Sequence, residues 1–372
     1  MLKIIRFNLI DLPTNLSITY FWCVGFMISA FMIIQVFSGI VLSLFYDVLG
    51  NFSMLMMWTD DNIYCWIIRY IHIWCVSIIF FLVYVHIGRS LYYSSYRMIG
   101  VWNVGFFIYV ILMVEAFLGY ILPWHQMSYW AATVLTSIIL SVPVVGGLIF
   151  SYVVGGFSVT LIDTLVRVFP VHISLGFILL GLIVLHLFYL HQSGSTSPLF
   201  FYNGYSDCVY FHSYHTIKDL FAFMVVIVFS NFLVLVDPNI ILDVEAFIVA
   251  NPLVTPDSIK PEWYFLLFYA MLRSINSKVG GLVLVILFLL VLWFPSKNFS
   301  SIYVFSRQVC FWLVVSLFVA LSYLGGCHAE YPYIDVSKVC SLMMLSILFI
   351  YKFFWIIPLK IDSRLLISCS SI

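Results

Sequence analysis

The chain has 372 residues, of which 64% are hydrophobic and only 9% are charged, and its sixteen basic residues balance sixteen acidic ones. About a quarter of the residues in a soluble domain are charged, so this composition excludes a soluble globular protein and indicates a bilayer protein. A net charge of zero provides no basic surface for a polyanion, and nucleic acid is excluded as a partner.

Eight apolar stretches approach the roughly 20 residues that a membrane-spanning helix needs. They lie at about 20–45, 66–92, 101–122, 171–190, 220–236, 280–294, 309–324 and 339–357. The pattern predicts an all-α membrane protein with eight transmembrane helices, of which the first four form a bundle in domain 1–205 and the rest a second domain, 206–372. Segments 123–168 and 237–278 are expected to be loops at the membrane surface, where loops often line a site.

Eight crossings would place both termini on one side of the membrane. Ten basic and four acidic residues then fall on that side, against six basic and eleven acidic residues on the other, and Glu115 is left inside the third span. Basic residues are enriched on the cytoplasmic side of membrane proteins. We therefore expect a multi-pass protein whose termini face the mitochondrial matrix or the bacterial cytoplasm.

Two of the predicted helices carry histidines at the same interval. His72 and His86 lie fourteen residues apart in the second stretch, as do His172 and His186 in the fourth. Fourteen residues rise about 21 Å over nearly four turns, so each helix presents two histidines on one face. Both helices run from the outer side inward, so His72 lies at the same depth in the membrane as His172, and His86 at the same depth as His186. Two imidazoles that face each other are the axial ligands of a low-spin haem, so the two histidine pairs predict two b-type haems. No C-x-x-C-H motif occurs, so we expect the haems to be bound non-covalently.

Glycines repeat this interval on the first and third stretches, at Gly25 and Gly39 and at Gly105 and Gly119. A glycine allows a flat ring to approach the backbone closely, although glycine is also common in membrane helices. Near the two membrane surfaces, the side chains expected to bind haem propionates are Arg69, Arg89, Arg167, Trp102 and Asn103. Interfacial anchoring is an equally good explanation for the tryptophan.

With these residues the chain resembles the cytochrome b family, the dihaem subunits of ubiquinol–cytochrome c oxidoreductase (complex III). The resemblance rests on NLIDLP at 8–13, IIRYIH at 67–72, LGYILPWHQMSYWAATV at 118–134, GGFSV at 155–159, HQSGSTSP at 191–198, TIKD at 216–219 and ANPLVTPDSIKPEWYFLLFYAMLRS at 250–274. These strings extend over nearly the whole chain. The two intervals of fourteen resemble the mitochondrial or bacterial complex rather than the plastid one.

The resemblance implies an electron-transferring catalytic subunit. Ubiquinol would be oxidised at an outer site, with one electron passing to a Rieske iron–sulfur protein and the other crossing through the two haems to reduce quinone at an inner site. Proton translocation would accompany this transfer. The implied partners are the Rieske protein, a cytochrome c-type subunit and other complex III subunits in a homodimeric complex, and the implied location is the mitochondrial inner membrane or a bacterial plasma membrane.

At the outer site, the resemblance implies that the loop after the third helix and the PEWY run at 261–264 line a quinol pocket. Glu262 would accept a proton from quinol, while Tyr120 and Tyr264 would form pocket walls. The alternatives are that Glu262 interacts with a helix N-terminus and that the two tyrosines only pack.

At the inner site, the resemblance implies contacts from His191, Ser195, Lys218 and Asp219. An imidazole and a carboxylate on opposite sides of a quinone can bond its two carbonyl groups and relay protons. The alternative is a solvated histidine that faces an aspartate. For His212 and His215, which lie in the preceding loop, solvation is the favoured interpretation.

Three residues depart from the family pattern. His125 and Ala131 occupy positions where the family usually has glycine, and the methyl group of Ala131 is expected to narrow the outer pocket. The third is Glu115, a buried acid for which a hydrogen bond to a neighbouring helix is favoured over a proton relay.

Two other functions remain open on sequence grounds. The first is a dihaem membrane anchor for another dehydrogenase, and the second is a haem-free, proton-coupled transporter that uses buried histidine and glutamate. The anchor hypothesis gives no function to the PEWY run. The transporter predicts internal repeats and broken helices, and the sequence shows neither.

Overall fold

The computed structural model describes residue 6 and residues 10–198, 208–298 and 302–354. Helices dominate this part of the chain. In order they are α1 Val24–Ser43, α2 Asn51–Asp61, α3 Ile63–Tyr92, α4 Ile99–Ile121, α5 Gln126–Leu140, α6 Gly146–Val154, α7 Leu161–Ser193, α8 Phe211–Val236, α9 Leu266–Arg273, α10 Lys278–Trp293, α11 Phe305–Gly326 and α12 Tyr333–Phe353. Two short strands, β1 (Pro13–Asn15) and β2 (Cys208–Tyr210), pair antiparallel and join the N-terminal segment to the start of α8.

Within the described residues, seven helices are long and apolar enough to cross a membrane. They are α1 with its preceding turn (Tyr20–Ser43), α3, α4, α7, α8, α11 and α12. Helix α10 is apolar but has only 16 residues, so it rises about 24 Å, less than the roughly 30 Å of a hydrocarbon core. The prediction of an all-α membrane protein is confirmed, whereas the count of eight spans stays a prediction.

The helices that carry the histidines and the spaced glycines form one bundle. Helix α1 packs along α3 and α4 packs along α7, while α1 also contacts α7. Asn62 caps the start of α3: its side chain accepts a hydrogen bond from the backbone N–H of Tyr64, which satisfies one of the free N–H groups of a helix start. The bundle therefore sets α3 and α7 with their histidines facing each other.

The structure corrects several predicted boundaries. The fourth span was expected to begin at 171, but α7 begins at Leu161 and continues through Pro170. Proline has no backbone N–H to donate to a helical hydrogen bond, so in a sequence it indicates a helix boundary. Here α7 continues on both sides of Pro170 although this one hydrogen bond is missing. The predicted end of the last span at 357 and the domain boundary at 205 lie outside the described residues.

The two segments expected to be loops contain helices. Segment 123–168 includes α5, α6 and the first turns of α7, and segment 237–278 includes α9. The two segments bind each other through backbone and amide groups of Gln126: its N–H donates to Ile248, its side-chain nitrogen donates to Val254, and its side-chain oxygen accepts from Asn251. The PEWY run in the second segment packs against the middle of α3, where the indole N–H of Trp263 donates to Ser77 Oγ at 3.2 Å.

Candidate functional site

Two cavities lie inside the bundle. The first, of about 280 Å³, is lined by His72 and His172 and is named here the His72 cavity. The second, of about 410 Å³, is lined by His86 and His186 and is named the His86 cavity. Leu112 lines both, so the two cavities adjoin at this residue. The helix geometry thus places one histidine pair in each.

The histidines of each pair face each other across the bundle. The ring centroids of His72 and His172 are 6.5 Å apart with the ring planes at 82°, and those of His86 and His186 are 6.4 Å apart at 60°. Two imidazoles that bind one metal from opposite sides, with metal–nitrogen bonds of about 2.0 Å, have their centroids about 6 Å apart. Both spacings therefore fit a metal bound between the two rings.

Each of the four spaced glycines lies against one of these imidazoles. A Cβ atom would meet the histidine Cε1 at 3.5 Å for Gly25 and His86, 3.1 Å for Gly39 and His72, 2.9 Å for Gly105 and His186, and 2.6 Å for Gly119 and His172. Real Cβ atoms essentially never approach within 3.0 Å, so Gly105 and Gly119 admit no larger side chain without a shift of the ring. Glycine at these positions leaves room for the imidazoles.

The Nδ1 atoms of the four histidines have different surroundings. His72 Nδ1 lies 3.0 Å from Ser38 Oγ, and His86 Nδ1 lies 3.2 Å from a guanidinium nitrogen of Arg89. His172 Nδ1 lies 3.1 Å from the backbone oxygen of Glu115 and 3.1 Å from its carboxylate Oε1. The backbone oxygen of Glu115 thus accepts the hydrogen bond from α7, and its carboxylate lies within contact distance of the same imidazole.

Several buried polar atoms around these cavities have no hydrogen-bond partner among the described residues. They are His186 Nδ1, Arg89 Nε, Gln35 Oε1, Asn103 Oδ1 and Glu115 Oε2. Buried polar groups are normally hydrogen-bonded, and these belong to residues in or beside the two histidine layers. Paired imidazoles, close glycines and unpaired polar atoms together fit a haem at each level.

The residues expected to bind propionates divide into two groups. Arg69 lines the His72 cavity and donates to Thr59 Oγ1 at 3.2 Å, and Arg89 lines the His86 cavity. Arg167 is different: it is exposed and donates to the backbone oxygen of Asp163 at 2.6 Å. Because it precedes His172 by five residues, the helix turns it by about 140° from the ligand face, and its expected role stays a prediction.

The other two residues predicted to contact propionates lie on α4. Trp102 lines the His86 cavity, but its indole N–H donates to the backbone oxygen of Trp293 at 3.0 Å. An indole has only this one donor, which the backbone oxygen of Trp293 already takes up, and the expected propionate bond from Trp102 stays a prediction. Asn103 lies beside the lining residues of the His86 cavity rather than among them.

The PEWY run shares a cavity with the first histidine pair. Tyr120, His125, Glu262 and Tyr264 all line the His72 cavity. Burial raises the pKa of Glu262 to about 7, against the opposing effect of a hydrogen bond with Tyr120. Tyr264 stacks on Phe80 with a centroid distance of 4.2 Å. The arrangement brings a titratable carboxyl group and flat aromatic walls next to a histidine pair.

His125 serves as the N-cap of α5. Its Nδ1 accepts a hydrogen bond from the backbone N–H of Ser128 at 3.0 Å, and burial lowers its pKa to about 3, helped by the positive charge of Arg69. The neutral ring therefore carries its hydrogen on Nε2. Ala131 lies further along α5, outside the lining of the His72 cavity, so the expected narrowing by its methyl group is not seen there.

The residues expected at the inner site lie around the His86 cavity. His191, Ser195 and Asp219 line it, together with Cys23, whose thiol hydrogen-bonds to the Asp219 carboxyl group. Lys218 lies outside this lining, and its Nζ donates to the backbone oxygen of Ile18 at 2.7 Å. Adjacent helical residues differ by about 100°, so Asp219 and Lys218 face different sides of α8, and the expected role of Lys218 at the inner site stays a prediction.

His215 is a residue that sequence reasoning misassigned. It was expected to be solvated, but it is only 3% exposed, lines the His86 cavity, and has no partner for Nε2 among the described residues. His212 is exposed as expected. The available signal was the spacing of four between His215 and Asp219, which places both on one helix face.

The chain matches known protein families in both of its halves. Residues 9–194 match the family described as cytochrome b/b6/petB. Residues 249–345 match the family described as cytochrome b(C-terminal)/b6/petD. A solved structure described as a hyperthermophilic respiratory Complex III superposes with a TM-score of 0.86 at 28% identity, and the match covers 95% of this chain and 96% of that one.

Proposed function

The chain belongs to the cytochrome b family, and from this membership we propose that it is the electron-transferring catalytic subunit of a respiratory quinol–cytochrome c reductase complex. The observation that carries the proposal is the His72 cavity, in which Glu262 and Tyr264 lie together with His72 and His172. A dihaem anchor has no need of a titratable carboxyl group beside a histidine pair.

His72 with His172, and His86 with His186, are the proposed axial ligands. When bound, two b-type haems supply one-electron carriers at two depths of the membrane. Arg69 and Arg89 offer guanidinium groups in the two cavities, where they can bind propionates with charge-assisted hydrogen bonds. Gly25, Gly39, Gly105 and Gly119 keep the helices close to the imidazoles.

The outer reaction is oxidation of ubiquinol in the His72 cavity. Glu262 accepts a proton from a quinol hydroxyl group, and Tyr120 holds the carboxyl group through its hydrogen bond. A carboxyl group with a pKa of about 7 releases this proton to water readily at neutral pH. One electron leaves to a Rieske iron–sulfur protein, the other crosses the bundle toward the His86 cavity, and the second quinol proton is released to water on the same outer side.

The inner reaction is reduction of quinone in the His86 cavity. His191 and Asp219 line this cavity with Ser195, and they can bond the quinone carbonyl groups and deliver protons. Proton release outside and uptake inside charge the membrane as electrons cross it.

The proposed membrane location and partners come from the family, and the proposed orientation comes from the distribution of charged residues. We place the chain in the mitochondrial inner membrane with its termini in the matrix, or in a bacterial plasma membrane with its termini in the cytoplasm. Its proposed partners are the Rieske protein, a cytochrome c-type subunit, other complex III subunits and a second copy of the complex.

The test is a reduced-minus-oxidised spectrum of the purified complex together with quinol-dependent reduction of cytochrome c. We expect two b-type components that titrate separately and a quinol–cytochrome c activity that requires Glu262. A complex with two b components but no such activity would indicate the dihaem anchor. A complex with no b-type absorbance would refute the proposal in favour of the transporter.

A further inference from the structure

Glu115 lies in the middle of the bundle with its carboxylate against a proposed metal ligand. Its Oε1 is 3.1 Å from His172 Nδ1, and the side chains of Glu115 and His172 are only 14% and 16% exposed. The backbone oxygen of Glu115 lies at 3.1 Å from the same nitrogen. A single residue of α4 thus presents two oxygen acceptors to the imidazole of α7.

The other three histidines lack a carboxylate at this position among the described residues. His72 Nδ1 faces the hydroxyl group of Ser38, His86 Nδ1 faces the cationic Arg89, and His186 Nδ1 has no partner there. The four proposed ligands therefore differ in charge environment. The acid Glu115 lies beside His172 in the His72 cavity, and the cation Arg89 lies beside His86 in the His86 cavity.

Gly176 provides the space for this acid. It follows His172 by one turn on α7, and a Cβ atom there would lie 3.4 Å from Glu115 Oε1. A distance of 3.4 Å is ordinary van der Waals contact, so an alanine at this position would just touch the carboxylate. Gly176 thus leaves open space beside the Glu115 side chain between α4 and α7.

We propose that Glu115 is a positioning residue that orients His172 and lowers the reduction potential of the haem in the His72 cavity, an inference that rests on the proposed function. His172 Nδ1–H donates to the backbone oxygen of Glu115, which leaves Nε2 as the nitrogen available to a metal, and the carboxylate Oε1 lies 3.1 Å from the same Nδ1. Carboxylate partners raise the basicity of ligand histidines. A more basic ligand favours the oxidised metal, so an electron on the haem of the His72 cavity moves more readily to the haem of the His86 cavity.

The test compares Glu115→Gln and Glu115→Leu in the purified complex by potentiometric titration of the b-type bands. Leucine removes the side-chain acceptor, so we expect one of the two components to be reduced more easily. We expect a change of about tenfold in its one-electron equilibrium, or about 59 mV. Glutamine keeps an acceptor oxygen without the charge and should give a smaller shift in the same direction. The second component should not move.

Low-spin electron paramagnetic resonance provides an independent readout, because hydrogen bonding at Nδ1 alters the ligand field of the imidazole. The signal of the shifted component should move in both variants. Asp163→Asn is the matched control. It removes an acid from α7, the helix that carries His172, but this acid accepts a hydrogen bond from Thr160 and not from an imidazole, so both components should stay unchanged.

The outcomes separate this inference from the proposed function. If both components keep their potentials and resonance signals in Glu115→Gln and Glu115→Leu, the role of Glu115 is refuted while the proposed function stands. If the unmodified complex shows no b-type components, the proposed function itself fails. Should the leucine variant not assemble, the nearly isosteric glutamine variant decides the question alone.

Discussion

The hydroxyl group of Tyr120, at the end of α4, hydrogen-bonds to the carboxyl group of Glu262 in the PEWY run. This bond joins two segments that are more than a hundred residues apart in sequence. Burial raises the pKa of Glu262 to about 7, the Tyr120 bond and Lys260 oppose the increase, and Asp243 adds to it. The carboxyl group therefore titrates near neutral pH inside the His72 cavity.

Quinol oxidation by the complex is expected to increase with pH through about pH 7, because only ionised Glu262 accepts a proton. Glu262→Gln should reduce turnover by roughly a hundredfold or more and remove this step from the pH profile. The check is kcat/KM for quinol between pH 5.5 and 8.5, values that span about 1.5 units on either side of the expected midpoint. An unchanged profile in the variant would refute the role of Glu262.

The contribution of Glu262 to the stability of the folded chain decreases with rising pH, whereas its contribution to activity increases. The pKa of Glu262 in the folded chain, about 7, lies above its ordinary value of 4.5. The folded state therefore holds the proton more tightly than the unfolded state, so this contribution to stability is complete below pH 4.5 and is lost as the pH rises through 7.

Tyr120→Phe should move the midpoint of that pH profile to higher pH. The tyrosine bond stabilises the ionised carboxylate and holds the pKa of Glu262 down, so its removal leaves burial less opposed. Tyr269→Phe is the control, since Tyr269 donates to the backbone oxygen of Ile259 at 2.6 Å and lies outside the cavity lining. A midpoint that stays in place, or moves to lower pH, would contradict the assignment of this bond.

Gly119→Ala should reduce the content of the b-type component in the His72 cavity. The new Cβ would lie 2.6 Å from His172 Cε1, so the imidazole must move, whereas the Cβ of Gly25→Ala would lie 3.5 Å from His86 Cε1 and should be tolerated. Gly181→Ala, where nothing lies within 4 Å, is a control on α7 itself. Equal haem content in all three variants, measured by pyridine haemochrome absorbance, would exclude this steric role.

His215→Phe should slow oxidation of the reduced b-type bands by added quinone. The phenyl ring can keep the stacking on Phe211, at a centroid distance of 5.9 Å, while it removes the polar nitrogen from the His86 cavity. Asp219→Asn should slow the same reaction, since Asp219 lines that cavity. The control is His212→Phe, an exposed position three residues earlier in the chain. Rapid mixing measures the rate, and equal rates for the two histidine variants would refute a role for His215.

Lys352→Met should destabilise the C-terminal helices. Lys352 is fully buried, and its Nζ donates to the backbone oxygens of Val291, Leu292 and Phe294 at 3.1, 2.6 and 2.9 Å. It thereby satisfies carbonyl groups at the end of the short helix α10. Loss of these bonds should cost about 3 kcal/mol or more, at roughly 1–3 kcal/mol for each unpaired buried group.

The measurement for this variant is the temperature at which the detergent-solubilised complex loses its b-type absorbance. Lys338→Met, an exposed position on the same helix α12, is the control and should change that temperature little. A Lys352→Met complex as heat-stable as the control would show that water or other groups replace the lysine.

The sequence by itself determined those features that depend on local periodicity. Apolar lengths predicted the membrane helices, and the interval of fourteen in His72–His86 and His172–His186 predicted one histidine face on each of two helices. Such predictions succeed because the rise and twist of an α-helix are constant. Where helicity continued past a proline, as at Pro170, local patterns placed the boundary wrongly.

Only the tertiary structure decided which polar residues face a cavity. Arg69 does and Arg167 does not, Asp219 does and Lys218 does not, and the buried His215 joins the His86 cavity. Such choices depend on which faces neighbouring helices cover and on how distant segments dock, and the spacing of residues along one helix does not specify either. The proximity of Glu115 to His172, and of Tyr120 to Glu262, arises from that packing alone.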